Sequence, residues 1–283
     1  MTQLHWRKLL VLVGLLTGLS ALGAFGQADN DAPKVRAELL AGRTLVAPGE
    51  QVILGLRLHM QPHWHTYWLN PGDSGLPTTV HWQDLPKGVT IDTIQWPTPG
   101  VFVLDEQVNY GYEHQATLLL PLSIADDFTG DSIRLTAEAR WLACREACIR
   151  ESQMVSLTLE VGEGGESRSP IITKALQQLP QPLAEQPTIQ YSESNGFNFR
   201  FIVPPVQQQQ SNVLVLSRYE SILQAITPEP VDAVNHAFTL ELAASPYLSA
   251  VPAHLSGLVI FNADSPTPIG YQFTHVPVET VTP

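Results

Sequence analysis

Basic residues are scarce in this chain: 15 Lys and Arg stand against 27 Asp and Glu, a formal net charge of −12. Nucleic-acid binding leans on phosphate neutralisation by Lys and Arg, and no basic run offsets the acid excess, so that class of partner is excluded. Long apolar runs are also scarce. The one candidate, Leu9 to Leu22, has 14 residues, short of the roughly twenty that a membrane helix needs. Helical periodicity is nearly absent. There is no G-x-S-x-G nucleophile elbow and no HExxH zinc motif, which leaves a hydrolase without support. Cysteine is reduced to two residues, Cys144 and Cys148.

The apolar run has a context. Trp6-Arg7-Lys8 precedes it, small residues through Ala24 and Gly26 follow, and then comes the polar stretch Gln27-Ala28-Asp29-Asn30. This is the order of a secretory signal peptide. Residues 1–28 are therefore expected to be an export signal, cleaved after Gly26 or Ala28, with an uncleaved N-terminal anchor as the other reading. No cysteine lies near the cleavage region, so no lipoprotein anchor is expected. Removal of Arg7 and Lys8 leaves 13 basic residues against 27 acidic, a net charge near −14. The mature chain of about 255 residues is enough for one large or two ordinary domains. It is expected in the periplasm, with no membrane insertion after cleavage.

What the chain has in quantity is β-type sequence, divided by Pro, Gly, Asn and Asp. Val52, Leu54, Leu56 and Leu58 alternate strictly within Gln51 to Met60, the pattern of a half-buried strand. Val35 to Val46, Val80 to Trp82, Val89 to Trp96, Ala116 to Ile124, Ser132 to Leu142 and Gln153 to Val161 are further candidates. Short strands at this spacing predict an immunoglobulin-type sandwich. Gly162 to Ser167 is a Gly/Glu/Ser linker. Pro170 to Leu179 predicts one short helix, with Ser169 as N-cap and Pro170 at its first position, ended by Pro180 and Pro182. A second β-rich segment runs from Thr188 to Val278, with candidate strands at Phe197 to Val203, Val213 to Ser217, Ala237 to Leu242, Leu258 to Phe261 and Tyr271 to His275. Gln207 to Gln210 suits a hairpin tip. The expectation is an all-β chain of two immunoglobulin-like sandwiches in tandem, residues 29–163 and 164–283, with a short helix at the linker.

Two cysteines in an oxidising compartment normally pair. Bridged cysteines need Cα atoms about 4.4–6.8 Å apart, whereas residues four apart in a straight strand sit roughly 13 Å apart. The chain must turn between Cys144 and Cys148, through a hairpin or a helical turn. A loop this short stabilises by about 2 kcal/mol, against about 4.7 kcal/mol for a hundred-residue loop, so the pair restrains little of the fold and suits exchange chemistry better than stapling. A hairpin clip is the plainer alternative. Metal binding is another: two thiolates do not complete a tetrahedral site, but His59, Met60, His63 and His65 are a loose soft-ligand set for copper. Arg145, with Arg140 or Arg150, favours a thiolate, and Glu146 and Glu151 oppose it. With no CxxC and no βαβ alternation, a thioredoxin-like oxidoreductase is excluded.

The stretches Trp64 to Pro77 (WHTYWLNPGDSGLP), Ile94 to Pro97 (IQWP), Val108 to Glu113 (VNYGYE) and Trp141 to Cys148 (WLACREAC) resemble the N-terminal periplasmic domain of the DsbD and ScsB family of disulfide reductases. The ScsB-like branch, with its CxxxC pair, is the nearer likeness. The motifs cover Val35 to Val161, and Thr188 to Val278 resembles the second β domain of that branch more weakly. The resemblance implies a redox-active Cys144–Cys148 pair, with Cys148 forming mixed disulfides and Cys144 resolving them by thiol–disulfide exchange. It implies partners of two kinds, a membrane-embedded reductase and periplasmic thioredoxin-like thiol proteins, and no cofactor. It also implies a cap loop over the cysteines within Phe102 to Tyr112, with Tyr110 the first candidate and Phe102 and Tyr112 the next. Asp105 and Glu106, near that loop, are candidate proton acceptors. Family members continue into a membrane conduit and a thioredoxin-like domain, which this sequence lacks, so a separate membrane protein is expected to supply electrons. A non-redox binding module and a copper-tolerance protein are the competing readings.

Overall fold

The computed structural model describes residues 32–104, 106–163, 169–193, 198–206, 212–231 and 237–281. The expected signal segment 1–28, Asp105, linker residues 164–167 and the 207–210 tract lie outside the described residues. Pro33–Pro283 forms one compact unit. Its elements are β1 (Val35–Ala41), β2 (Leu45–Val46), β3 (Gln51–Met60), β4 (His65–Gly72), β5 (Thr79–Gln83), β6 (Val89–Ile91), β7 (Gly100–Leu104), β8 (Gln107–Glu113), β9 (Gln115–Ile124), β10 (Ser132–Cys144) and β11 (Cys148–Val161). After them come α1 (Pro170–Gln177), β12 (Gln181–Pro182), β13 (Thr188–Tyr191), β14 (Phe199–Val203), β15 (Asn212–Ser217), β16 (Glu229–Pro230), β17 (Phe238–Leu242), β18 (His254–Phe261) and β19 (Ile269–Thr280). The fold is all-β, of tandem immunoglobulin-like type.

The first half packs a sheet of order β1-β3-β9-β6 against one of order β2-β11-β10-β4-β8-β7, with β5 paired to β10. Alternation drives this packing. Val52, Leu54, Leu56 and Leu58 of β3 and Ile133, Leu135, Ala137 and Ala139 of β10 share one core. Strand β9 is buried on both faces, which a sheet strand tolerates only when both sides are covered. Its other face carries Leu119, against Ile172 and Ala175 of α1. The helix begins at Pro170, whose fixed φ suits a first turn, but Ser169 caps it without a side-chain hydrogen bond. The helix stops at Gln177, two residues short of the sequence expectation.

The second half is one curled sheet of order β16-β15-β18-β19-β13-β14-β17. It closes around Phe199, Phe201, Phe261 and Phe273. The two halves also share apolar packing. Val213 and Val215 of β15 face the second core, while Leu214, Leu216, Leu258 and Ile260 join the first. Polar contacts reinforce this seam. The Ile226 amide donates to Tyr110 Oη at 2.8 Å, and that hydroxyl donates to the Ile226 carbonyl at 3.0 Å. Asn70 Nδ2 donates to the Ser217 carbonyl at 2.9 Å.

Candidate redox site

The turn required between the cysteines is a β-hairpin. Strands β10 and β11 pair from Ser132↔Glu160 to Cys144↔Cys148, so the cysteines are the last cross-strand pair before a three-residue turn. Their Cα atoms are 4.1 Å apart and the sulfurs are bonded. Directly opposed strand residues lie this close in a non-hydrogen-bonded pair, so the register itself brings the sulfurs together. The odd-numbered residues of β10, Ile133 to Ala143, fill the sandwich core. Side chains alternate between faces, so Cys144 lies on the outer face. It is nonetheless buried, at 1% exposed, whereas Cys148 is exposed.

Three side chains, His65, Tyr67 and Phe102, gather on that outer face. Strand β4 lies beside β10 with His65 opposite Cys144. His65 and Tyr67, two apart, share the face. The Tyr67 hydroxyl is 3.7 Å from Cys148 Sγ, and the His65 ring meets Tyr67 edge-on at 5.3 Å. Two strands away, Phe102 of β7 stacks on His65 with ring centroids 5.1 Å apart and planes 13° from parallel. Glycines hold this platform. Gly75 has φ +118°, and a Cβ there would lie 2.4 Å from the Tyr67 ring. Gly72 has φ +89°, and its Cβ would lie 2.3 Å from the Val108 carbonyl oxygen. Both positions suit glycine alone. Asp73 and Ser74 complete the loop: Asp73 Oδ2 accepts from the Val108 amide at 2.8 Å, and the Ser74 amide donates to Asn109 Oδ1 at 3.1 Å. The Trp64 to Pro77 motif thus both lines the cysteine pair and turns the chain.

Burial sets the electrostatics. It raises the Tyr67 phenol above its ordinary value, which keeps the hydroxyl a donor toward Cys148 sulfur. It lowers the His65 imidazole, and His65 Nε2 is buried with no hydrogen-bond partner. A histidine lowered on folding binds its proton more readily in the unfolded chain. Stability is therefore highest above the unfolded pKa near 6.5 and falls as pH drops below it. The loss of stability on going from about pH 7 to pH 5 should be smaller in His65→Gln than in the wild type, measured by denaturant midpoints at each pH. Equal losses would contradict this.

The other sequence candidates take varied positions. Phe102 stacks on His65, the register partner of Cys144. Tyr110 and Tyr112 are buried. Tyr110 is tied to Ile226 of the second half, and Tyr112 Oη donates to the Pro97 carbonyl at 2.8 Å. The segment expected to be a cap loop is a hairpin of β7 and β8, with exposed Glu106 at its tip at φ +70° and Asp105 outside the described residues. Arg145 lies over the Trp64 ring at 5.5 Å and 3.9 Å from Glu146. Arg140 pairs with Glu138. Glu151 is structural: it accepts from the Lys34 and Val35 amides and from Trp141 Nε1. His59 bonds Glu38, His63 is exposed in the β3–β4 turn and His65 is at the disulfide, so the soft-ligand set is spread over separate environments. Among the described residues, no group of three or more His, Cys, Asp or Glu side chains converges as a metal site. The sequence gives Tyr67 and His65 no individual role in exchange: both stand within the Trp64 to Pro77 motif, and His65 is singled out as a copper ligand. The i, i+2 spacing of His65 and Tyr67 within the WHTYW motif was the available signal.

Residues 36–160 match the family model described as thiol:disulfide interchange protein DsbD, N-terminal. No curated protein sequence matches the chain. Among solved structures, the N-terminal periplasmic domain of ScsB from Proteus mirabilis is similar at a TM-score of 0.58 and 16% identity, covering 88% of this chain and 96% of that one. That likeness extends through both halves and concerns the fold. The Neisseria meningitidis DsbD N-terminal domain in its reduced form is also similar, at a TM-score of 0.29 and 14% identity, over 47% of this chain and 90% of that one. Among the described residues no helix is long and apolar enough to cross a membrane.

Proposed function

From a first sandwich that matches the DsbD N-terminal family, we propose that this chain is a periplasmic thiol–disulfide exchange protein. It passes reducing equivalents from a membrane-embedded reductase to periplasmic thioredoxin-like proteins through Cys144 and Cys148. The observation that carries the reading is the unequal exposure of the pair: Cys148 is exposed and Cys144 is 1% exposed. Exchange runs through in-line attack on one sulfur and a mixed disulfide. A partner thiolate reaches Cys148, and Cys144 is the protected resolving group. Tyr67, donating toward Cys148 Sγ, favours negative charge on that sulfur. Export by residues 1–28, the domain boundary near residue 163 and the electron donor are parts of the same proposal.

Phe102 is the cap of this site. Its ring stacks on His65 and closes the face from which Cys144 would otherwise be approached. The test is to treat the oxidised protein with limiting glutathione, quench with acid and map the mixed disulfide by mass. Glutathione is expected on Cys148, and Phe102→Ala should react several-fold faster and lose that selectivity. Adducts divided equally between the two cysteines in the wild type would contradict the assignment.

A further inference from the structure

We propose that His65 is the proton acceptor for the Cys144 thiol, a catalytic role that rests on the exchange reading above. Three independent observations converge on it. His65 is the cross-strand neighbour of Cys144, and side chains directly opposed across two strands have Cβ atoms about 4.5–5.5 Å apart. Its ring is fixed from two sides, by the stacked Phe102 and the edge-on Tyr67. Its Nε2 is buried without a hydrogen-bond partner, although His65 is only 2% exposed. Buried polar atoms are nearly always paired, and an exception calls for an explanation. In the oxidised protein Cys144 sulfur is bonded to Cys148 and carries no proton. Reduction creates an S–H on the strand position opposite His65, on the face that also carries the unpartnered ring nitrogen.

The resolving step needs such a group. Cys144 is shielded from water, so bulk base does not reach its thiol, and only the thiolate is a nucleophile. Cys148, its proton lost to solvent, first attacks the partner disulfide as the thiolate; the mixed disulfide forms, and the released partner thiolate takes up a proton from solvent. The Cys144 proton then moves to His65 Nε2. The thiolate attacks Cys148 Sγ, the Cys148–partner bond breaks, and the second partner thiolate leaves. The imidazolium finally releases its proton to that thiolate or to solvent. Two electrons pass from the cysteine pair to the partner disulfide, and the two protons follow directly or by exchange with solvent, with no other reactant. In reverse, when a donor thiolate attacks Cys148, His65 protonates the departing Cys144 sulfur. Burial lowers the imidazole, so the neutral accepting form prevails at neutral pH. The titratable groups facing it are Glu113, its register partner on β8, Tyr67 and the two cysteines. Arg145 is in the adjoining hairpin turn.

The two steps separate in a stopped-flow reaction of the reduced protein with 5,5′-dithiobis(2-nitrobenzoate). The first thionitrobenzoate released reports Cys148 attack, and the second reports Cys144 resolution. His65→Ala is expected to slow the second release at least tenfold at pH 7, with the first within about threefold of wild type. Added imidazole should restore the second release by entering the vacated ring site. The wild-type second step, which needs no variant, should follow a group titrating below the ordinary histidine range. An unchanged second step, or equal slowing of both without imidazole rescue, would overturn the role of His65. A folded wild type that releases no thionitrobenzoate in either step would instead overturn the exchange reading.

Discussion

Replacing Cys144 by serine should convert a transient intermediate into a product. The variant keeps the exposed Cys148, which still reacts with a partner, but lacks the sulfur that releases it. Incubated with a thioredoxin-like protein that keeps one active-site cysteine, activated as its thionitrobenzoate disulfide, Cys144→Ser is expected to accumulate a covalent one-to-one complex, visible on a non-reducing gel and lost with dithiothreitol. Cys148→Ser leaves only a sulfur on a residue that is 1% exposed, so it should trap at least a hundredfold less. The asymmetry distinguishes exchange from a clip. A hairpin clip predicts that neither variant traps a partner, and both would then differ from wild type only by the small stabilisation of a short loop, about 2 kcal/mol. Equal trapping by both variants would contradict the division of labour between the sulfurs.

Leu216→Ala should destabilise the whole chain, including the half in which it does not reside. Leu216 is on β15 in the second half but packs into the first core with Leu214, Leu258 and Ile260. Removing a buried leucine side chain to alanine costs about 2–5 kcal/mol, including the cavity left behind. The tryptophans make a convenient reporter, because Trp64, Trp68, Trp82, Trp96 and Trp141 all precede the linker and the remaining one is Trp6. In denaturant, wild type should show one tryptophan fluorescence transition, coincident with far-UV circular dichroism. Leu216→Ala should move both to lower denaturant together. A fluorescence midpoint unchanged by this substitution would mean that the first sandwich stands independently of the second.

The parts of this structure legible in the sequence are those with a local pattern. The alternation of Val52 to Leu58 specified a strand and its buried face, Ser132 to Leu142 was legible as a strand, and Pro170 marked the helix start. The cysteines were legible because their spacing forces a turn. The hairpin of β7 and β8 was read as a loop. Gly100 and Gly111 interrupt its apolar alternation, and its buried inner face is carried by Tyr110 and Tyr112, whose hydroxyls resemble polar surface until their partners at Ile226 and Pro97 are known. Those partners, like the pairing of Cys144 with His65, join residues far apart in the chain. No local period encodes such contacts. The same limit explains the copper reading of His65: its neighbours along the chain are His63 and Met60, but its neighbours in space are Phe102, Tyr67 and a disulfide.

The central claim is that the Cys144–Cys148 pair is a working redox couple, and its equilibrium potential tests this most directly. The protein without residues 1–28 would be equilibrated across a series of glutathione or dithiothreitol ratios, alkylated and weighed. The pair is expected to titrate as a two-electron couple well above the level of about −300 mV below which structural bridges fall. A bridge that stays closed until strongly reducing conditions would contradict exchange and leave the hairpin disulfide as a clip.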